Sequence, residues 1–288
     1  ESCIAHHYPM RLITKILLRT LICISVFIVL TILITRLVTS PANDRTWNTD
    51  QEVLPYADIS GDRVSIFNIR NFSYASTTSY TPAYYHHTYD LQKLKRVWYV
   101  VEPFSGIPGS AHTFVSFEFE GDVFVAISVE IRKERGEDYH PIKGLFNQYE
   151  LMYVIADERD VVKLRSNYRK DQVYVYPAST TPEKARALFL DMVTRATHLK
   201  EYPEFYNTLT NTCTTNIVEH INNITPSRIP WYDFRILFPE NSDQLAYEQD
   251  LIDTALSFED MRTRYHINDR AMKYADALDF SVRIRGER

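Results

Sequence analysis

The sequence predicts an α+β domain behind a single transmembrane helix. A charge-free apolar run over Thr20–Thr35 predicts the transmembrane helix. Two runs in which apolar and polar residues alternate, Ala111–Phe119 and Val123–Ile131, predict paired strands. Apolar residues at helical spacing follow in Ala185–Leu199 and in Cys213–Ile221. Strands that come first, with helices after them, predict an α+β fold built on an antiparallel sheet.

The composition of the chain narrows its function. The 288 residues carry a net charge of −5 and contain no basic run interleaved with aromatic residues, so we expect no nucleic-acid partner. The 7 glycines form no phosphate-binding loop, which argues against a nucleotide cofactor. The 3 cysteines, Cys3, Cys23 and Cys213, show no metal-ligand spacing. We therefore expect no metal and no cofactor, and we predict that Cys213 is a free thiol.

The predicted anchor lies between Arg19 and Arg36, and the addition of Ile16–Leu18 gives it the length of a membrane span. More basic residues precede the apolar run than follow it, so the positive-inside rule predicts a cytoplasmic N-terminus and an external domain. A cleaved signal peptide is the alternative, although Leu37–Pro41 is a poor cleavage site. The predicted organisation is a cytoplasmic segment (1–15), a transmembrane anchor (16–37), a linker (38–50) and one external domain (51–288).

The two alternating runs predict a hairpin whose register follows from burial. Val115, Phe117 and Phe119 form one apolar face, and alternate residues from Val123 onward form the matching face. A slip of one residue would turn one of these faces outward, so Phe119 is expected to lie opposite Val123. The same register places His112 opposite Glu130.

Shorter patterns predict the remaining elements. Strands are expected over Tyr149–Ala156, Val161–Leu164 and Val173–Tyr176. A threonine followed by proline predicts the start of a helix over Thr181–Leu199. Two polar amphipathic helices are predicted near the end of the chain, over roughly Asp243–Leu256 and Phe258–Leu278.

A further helix is predicted to begin at Thr212 or Cys213. Cys213, Ile217 and Ile221 share one helical face, which we expect to be buried. Either Asn211 or Thr212 can serve as the N-cap, because a short polar side chain there accepts a hydrogen bond from a free amide. This places Cys213 in the first turn of the helix.

The position of Cys213 predicts a nucleophile. The helix dipole and the unpaired amides of the first turn favour a thiolate, and they can also hold an oxyanion on a substrate carbonyl. We assign oxyanion and positioning roles to Asn211, Thr212 and Thr214, and a positioning role to Tyr206 in the preceding loop. The alternative is a small cysteine buried in the core.

His112 and Glu130 complete a predicted catalytic group with Cys213. A histidine held by a carboxylate on the neighbouring strand can serve as a general base for a thiol. The papain-type arrangement uses these three residue types, and only their geometry matters for the chemistry. An ordinary cross-strand salt bridge between His112 and Glu130 is the alternative.

Four stretches carry a resemblance to a known family, the one named for the N-terminal periplasmic domain of Lnb. They are AHTFVSFEF, SVEIRKERGE, GLFNQYELMYVIADERD and PEFYNTLTNTCTTNIV, and the resemblance spans roughly 43–265. Lnb is the bacterial lipoprotein N-acyltransferase that makes lyso-form lipoproteins. The arrangement also resembles the permuted NlpC-type cysteine folds, in which a histidine strand precedes an Asn-Cys helix. Here Thr212 stands where those relatives carry asparagine.

The resemblance implies a bacterial inner-membrane protein with a periplasmic catalytic domain, and the apolar run predicts a single span. It implies that Cys213 accepts an acyl group from a lipid or lipoprotein and passes it to an amine. Two alternatives remain open at this point: a cysteine hydrolase (lipase, amidase or peptidoglycan peptidase) and an inactive binding or scaffold domain. Lnb-type transferases span the membrane several times, so a membrane-protein partner is also an open expectation.

Overall fold

The computed structural model describes residues 8–225 and 229–286, so Cys3 lies outside the described residues. The strands within these residues are β1 (Tyr56–Ser60), β2 (Arg63–Arg70), β3 (Ser73–Tyr74), β4 (Tyr80–Thr81), β5 (Tyr84–Asp90), β6 (Leu94–Pro103), β7 (Ala111–Phe119), β8 (Val123–Arg132), β9 (Glu150–Ala156) and β10 (Tyr174–Pro177). The helices are α1 (Tyr8–Val38), α2 (Pro141–Leu145), α3 (Glu158–Lys163), α4 (Pro182–Glu201), α5 (Cys213–Ile224), α6 (Phe234–Leu237), α7 (Ser242–Glu248), α8 (Phe258–Tyr265), α9 (Asn268–Lys273) and α10 (Phe280–Arg283).

One large sheet organises the domain, with strand order β1-β2-β9-β8-β7-β6-β10 and with β5 also paired to β2. Every pairing in it is antiparallel except that of β2 with β9, which is parallel and joins Arg70 to Ala156. The predicted α+β class is confirmed, and the sheet is mixed because of this one parallel pair. β3 and β4 form a separate two-stranded ribbon.

The two faces of the sheet carry separate cores. On the first face, Val115, Phe117 and Phe119 of β7 pack with apolar residues of α4 and α5. On the second face, Phe114 of β7 packs with residues of α3, α9 and α10. Successive side chains of a strand point to opposite faces, so each residue of β7 belongs to one core or the other. We call them the α5 face and the α3 face.

The predicted β7–β8 register is confirmed. Phe119 lies opposite Val123, and the ladder continues to Phe114 opposite Ser128. The three-residue turn over 120–122 accommodates this register because Gly121 and Asp122 both adopt positive φ angles. Burial of both apolar faces and a short turn are sufficient to determine the pairing.

The strand predicted over Val161–Leu164 is wrong, because those residues belong to helix α3 and to the π-helical turn after it. The carboxylate of Asp157 accepts a hydrogen bond from the amide of Arg159 and caps the helix. A short run of β-branched residues is compatible with a strand or with a helix, and here the cap at Asp157 favours the helix. In place of the two long helices predicted over Asp243–Leu256 and Phe258–Leu278, the structure has three short ones, α7, α8 and α9.

Helix α1 contains the predicted membrane span. Within the described residues, the segment Leu12–Thr31 is the one helix long and apolar enough to cross a membrane, and none of it is buried in the protein. The hydroxyls of Thr20 and Thr31 donate to the carbonyls of Ile16 and Phe27, which satisfies these polar groups inside the helix. This helix is consistent with a protein that is attached to the membrane by a single span.

The segment after α1 packs on the domain well before residue 51. The amide of Ala42 donates to the carboxylate of Glu150, and the ring of Trp47 is 3% exposed. The guanidinium of Arg132 lies 4.1 Å from the centre of that ring, a cation–π contact. Much of the predicted linker is therefore part of the folded unit.

Candidate functional site

Cys213 is the first residue of helix α5, in agreement with the sequence prediction. Thr212 is the N-cap: its hydroxyl accepts from the amide of Thr215 at 3.2 Å, and the Thr215 hydroxyl accepts from the amide of Thr212 at 2.7 Å. This reciprocal pair is a capping box. Since it occupies the amides of Thr212 and Thr215, the amides of Cys213 and Thr214 face the space in front of the helix.

Asn211 supports this helix start without serving as its cap. Its side-chain amide donates to the carbonyl of Phe205 at 2.9 Å, and its side-chain oxygen accepts from Asn216 at 2.7 Å. The backbones of Asn207 and Asn211 also exchange two hydrogen bonds. These contacts tie the loop before Cys213 to its neighbours, and the role assigned to Asn211 stays a prediction.

The thiol of Cys213 is half-buried between polar side chains of the α5 face. Its Sγ lies 3.7 Å from the hydroxyl of Thr214, which in turn lies 3.0 Å from the hydroxyl of Thr113. Two buried tyrosines, Tyr99 and Tyr206, lie near the thiol. Burial raises the pKa of both phenols, and negative charge on Cys213 also raises it. Both tyrosines are therefore neutral hydroxyls at neutral pH.

An apolar cavity of about 330 Å³ has Thr214, the residue after Cys213, in its lining. It follows α5 from Thr214 to Thr225, a distance of about 17 Å at ~1.5 Å per residue. Its walls are mostly aliphatic, from β6, β7, α4, α5 and α7: Val97, Val115, Leu188, Ile217, Ile221, Ile224 and Leu245. Tyr99 and Ser242, whose hydroxyls are 2.9 Å apart, supply a polar contact among these lining residues. The shape and the lining suit an elongated apolar ligand.

His112 lies on the α3 face of the sheet. Its ring stacks on Phe114, with centroids 5.6 Å apart, and its Nε2 lies 2.7 Å from the hydroxyl of Ser128. That hydroxyl donates to Glu130 at 2.9 Å, so Nε2 of the neutral ring must carry the hydrogen that Ser128 accepts. Burial, together with the positive charge of the nearby Arg165, lowers the pKa of His112 to about 3. The imidazole is therefore neutral at physiological pH.

The structure brings His112 and Glu130 together but leaves Cys213 apart from them. His112 Nε2 and Glu130 Oε1 are 3.9 Å apart, with Ser128 between them. The next residue, Thr113, points to the opposite face and contacts Thr214 of α5. Because adjacent strand residues point in opposite directions, the sheet separates the imidazole of His112 from the thiol. The catalytic assignment of His112 and Glu130 to this thiol stays a prediction.

A buried charge network surrounds the His112–Glu130 pair, and the sequence patterns did not reveal it. Arg165 donates to Glu102 at 2.6 Å and to Glu130 at 3.0 Å. The side chains of these three residues are largely buried. Burial raises the pKa of Glu102 to about 7. Burial also opposes ionisation of Glu130, but Arg165 and His112 overcome this and lower its pKa below the usual range. These contacts join distant segments, so no local spacing signals them.

A second histidine, His220, lies on the same helix as the thiol. Its Nε2 lies 2.7 Å from the hydroxyl of Tyr153, and its Nδ1 lies 2.8 Å from the carboxylate of Asp191. It is seven residues beyond Cys213, which corresponds to about 10 Å along the helix. This distance is too long for direct proton transfer, so His220 is a structural residue. Within the described residues, no three His, Cys, Asp or Glu side chains converge as a metal site.

Replacement of Thr212 by alanine tests the capping box. We expect Thr212→Ala to lower the free energy of unfolding by about 1 kcal/mol, because the amide of Thr215 loses its acceptor. Chemical denaturation of the full chain in detergent micelles would measure the loss. Thr212→Asn, which can cap in the same way, is the matched control and should lose much less. Equal losses in both variants would show that the cap contributes little.

Comparison with known proteins gives one finding and two negative results. The family described as the Lnb N-terminal periplasmic domain matches residues 80–240, which is more than half of the chain. The matched region includes β5 to β9, the loop before α5 and the whole of α5. No curated protein and no solved structure gives a match. The likeness to permuted NlpC-type folds therefore stays a prediction.

Proposed function

The chain belongs to the family of the Lnb N-terminal periplasmic domain, a family associated with the cell envelope, and we propose that it is a membrane-anchored, thiol-dependent acyltransferase. In this proposal Cys213 takes an acyl group from a lipid or lipoprotein ester and passes it to an amine. The chain would be anchored by α1 in a bacterial inner membrane, with its N-terminus in the cytoplasm and its domain in the periplasm. The structural support comes from the α5 face of the sheet.

The observation that carries the proposal is the cavity lined by Thr214, whose hydroxyl lies 3.7 Å from the thiol of Cys213. The thiol lies in the first turn of α5, where helix amides without an intrahelical partner can receive an oxyanion. An elongated aliphatic cavity next to such a thiol favours a fatty acyl chain over a peptide or a sugar, which would need many polar partners. The reacting ester would then lie at the mouth of the cavity, against the first turn of α5.

The proposed reaction has two steps, each of them a displacement at an acyl carbon. The thiolate attacks the ester carbonyl, the amides of Cys213 and Thr214 hold the oxyanion, and the carbon–oxygen bond breaks. The leaving alkoxide takes a proton from water, and the acyl group remains on sulfur as a thioester. An amine then attacks the thioester, the carbon–sulfur bond breaks, and the proton of the amine passes to water as the thiolate returns. Neither step requires His112, which lies on the other face of the sheet.

Transfer is favoured over hydrolysis by the surroundings of the thiol. Cys213 is half-buried, and the cavity that Thr214 lines is mostly apolar, so an acceptor with apolar substituents is favoured there over water. A neutral amine that enters with its own apolar substituents would compete well in such a site. A lipase, amidase or peptidase outcome would instead release the free acid.

A second candidate function is a lipid-binding domain without catalysis. The observation that favours it is the placement of His112: within the described residues, no imidazole contacts the thiol, whereas cysteine acyltransferases usually have a general base within hydrogen-bond reach. In that case the cavity would still bind an acyl chain, but Cys213 would not become acylated.

The experiment that distinguishes these functions is intact-mass measurement on the full chain in lipid nanodiscs. Cys3→Ser and Cys23→Ser together leave Cys213 as the only thiol among the 3 cysteines. We expect one added acyl mass, removable by hydroxylamine, and transfer of that mass to an added primary amine. Free fatty acid without acylated amine would establish a hydrolase. No adduct with any glycerolipid would overturn the enzyme proposal and leave the binding function.

Two variants control for the site of acylation. Cys213→Ala in the same background should show no adduct. Ile221→Trp places a larger side chain in the wall of the cavity, so it should reduce the adduct most for long acyl chains. An adduct whose yield does not depend on chain length in either protein would show that the cavity is not the acyl site.

A further inference from the structure

Several chain segments meet at one end of the sheet, which we call the thiol end. β6 ends at Pro103 and β7 begins directly opposite, at Ala111. β8 ends opposite Glu150, the first residue of β9. Glu150 also bridges to Phe205 in the loop that leads to Cys213. The loops β6–β7 and β8–β9 and the start of α5 therefore share this end of the domain.

The membrane helix is tied to the thiol end by a short connection. α1 ends at Val38, and the amide of Ala42 already donates to the carboxylate of Glu150 at 3.3 Å. Asn43 accepts from Arg132 at 2.7 Å, and so fixes the chain to the last residue of β8. Four residue steps separate Val38 from Ala42, and a fully extended chain covers about 14 Å in that number of steps. The thiol end therefore lies within that distance of the end of α1.

The thiol end also presents exposed apolar side chains. Ile142 is 58% exposed and Leu209 is 54% exposed, and the two loops that carry them are joined by a hydrogen bond from Thr208 to the carbonyl of Pro141. On the other side of the start of α5, Phe238 is 58% exposed and packs against the β6–β7 turn at Gly109. The side chain of Ile107 in that turn is exposed as well.

The opposite end of the sheet has a different character. The turns over 60–62 and 120–122 lie there, next to the 91–93 segment, through hydrogen bonds from Leu91 to Asp62 and from Glu120 to Lys93, each 2.8 Å long. These two turns consist of serine, glycine and acidic residues. Unlike the loops of the thiol end, these two turns therefore present no apolar side chain.

We propose that the thiol end is the face with which the domain rests on the headgroup region of its own membrane. The short connection from α1 holds this end at the bilayer, and exposed Ile, Leu and Phe side chains gain free energy when they enter its interface. The start of α5 would then open toward the lipid, so an acyl chain could reach the cavity without crossing water. The inference concerns the orientation of the domain and holds whether or not Cys213 is acylated.

Tryptophan quenching by lipids brominated in their acyl chains tests the orientation in the full chain in nanodiscs. Trp231 is the exposed one of the three tryptophans, so the background carries Trp231→Phe, while Trp47 and Trp98 stay buried. The reporters are Ile142→Trp and Leu209→Trp at the thiol end. Leu278→Trp is the matched control, since Leu278 is 93% exposed and lies near Asp122 at the opposite end.

We expect quenching several-fold stronger for the two thiol-end reporters than for Leu278→Trp. Equal quenching at all three positions, or quenching at the control alone, would overturn the proposal. The proposal would also be overturned if the thiol-end reporters were not quenched and the chain formed dimers, since the apolar loops would then pack against a second copy. Ile107→Trp is a further reporter at the thiol end if one of the first two fails to fold.

The double variant Ile142→Asp, Leu209→Asp separates docking from chemistry. We expect it to lower the quenching of the Ile107→Trp reporter several-fold and to slow acylation by bilayer lipids, while acylation by lipids in detergent micelles stays unchanged. Strong quenching without any acylation would leave the docking face established and the acyltransferase proposal wrong. Acylation without any quenching would support the acyltransferase proposal and show that the docking proposal is wrong.

Discussion

An Arg165→Met variant is expected to lose about 3–5 kcal/mol of unfolding free energy, the largest loss among our stability predictions. Arg165 is 2% exposed and donates to both Glu102 and Glu130. Methionine fills much of the same volume but leaves Glu130 without the guanidinium that it accepts from, and Glu102 with only Arg169, 3.6 Å away. The loss of a buried partner costs far more than the net value of the pair, because the desolvated charge remains. Chemical denaturation of the full chain in micelles at pH 8 would measure the loss.

The matched control is Arg159→Met, which also removes an arginine that pairs with a carboxylate. Arg159 contacts Asp157 at 3.2 Å, but its side chain is 42% exposed, so we expect a change within about 1 kcal/mol. The loss in Arg165→Met should shrink at pH 5.5, because the pKa of Glu102 is already raised to about 7 and an unpaired carboxyl can take up a proton. Equal losses of unfolding free energy in Arg165→Met and Arg159→Met would contradict the assignment of Arg165 to a buried charge network.

His112 is expected to make the domain less stable in mild acid. Its folded pKa is lowered to about 3 by burial, whereas an unfolded histidine titrates near pH 6.5. Between these values the unfolded chain binds more protons than the folded one, so stability falls as the pH drops below about 6.5. At pH 5 this group alone should cost about 2 kcal/mol relative to pH 7.5.

A His112→Gln variant isolates this contribution. Glutamine cannot be protonated, and its amide can still donate to the hydroxyl of Ser128. The difference in unfolding free energy between pH 7.5 and pH 5 should therefore be about 2 kcal/mol smaller in the variant than in the natural chain. The pKa values of His220 and His266 are also lowered by burial, but both residues are present in both proteins and cancel. An identical pH profile in the two proteins would contradict a buried neutral His112.

The same variant tests the catalytic assignment made from the sequence. If His112 activates Cys213, the rate of alkylation by iodoacetamide should fall by about 10²–10⁴ in His112→Gln. If the sheet separates them, as the contacts of Thr113 indicate, the rate should change little. Alkylation and denaturation on one sample would separate a change of reactivity from a change of stability.

The sequence alone determined the elements that depend on local patterns. The start of α5 at Cys213 followed from a capping residue before an apolar stripe, and the β7–β8 register followed from two alternating faces and a short turn. The membrane helix could be predicted from an apolar run, and the family from its sequence motifs. Val161–Leu164 shows the limit of local patterns, since four apolar and β-branched residues fit a strand or a helix equally well.

Only the tertiary structure decided which side chains meet. The side chains of His112 and Glu130 lie 3.9 Å apart, yet the pattern could not show which face of the sheet α5 covers, and it covers the face of Thr113. The contacts of Arg165 with Glu102 and Glu130 join segments 63 and 35 residues apart, and the cavity along α5 is enclosed by five separate elements. Local sequence specifies how each element forms, but packing in three dimensions determines which faces come into contact, and the chemistry of the site depends on those faces.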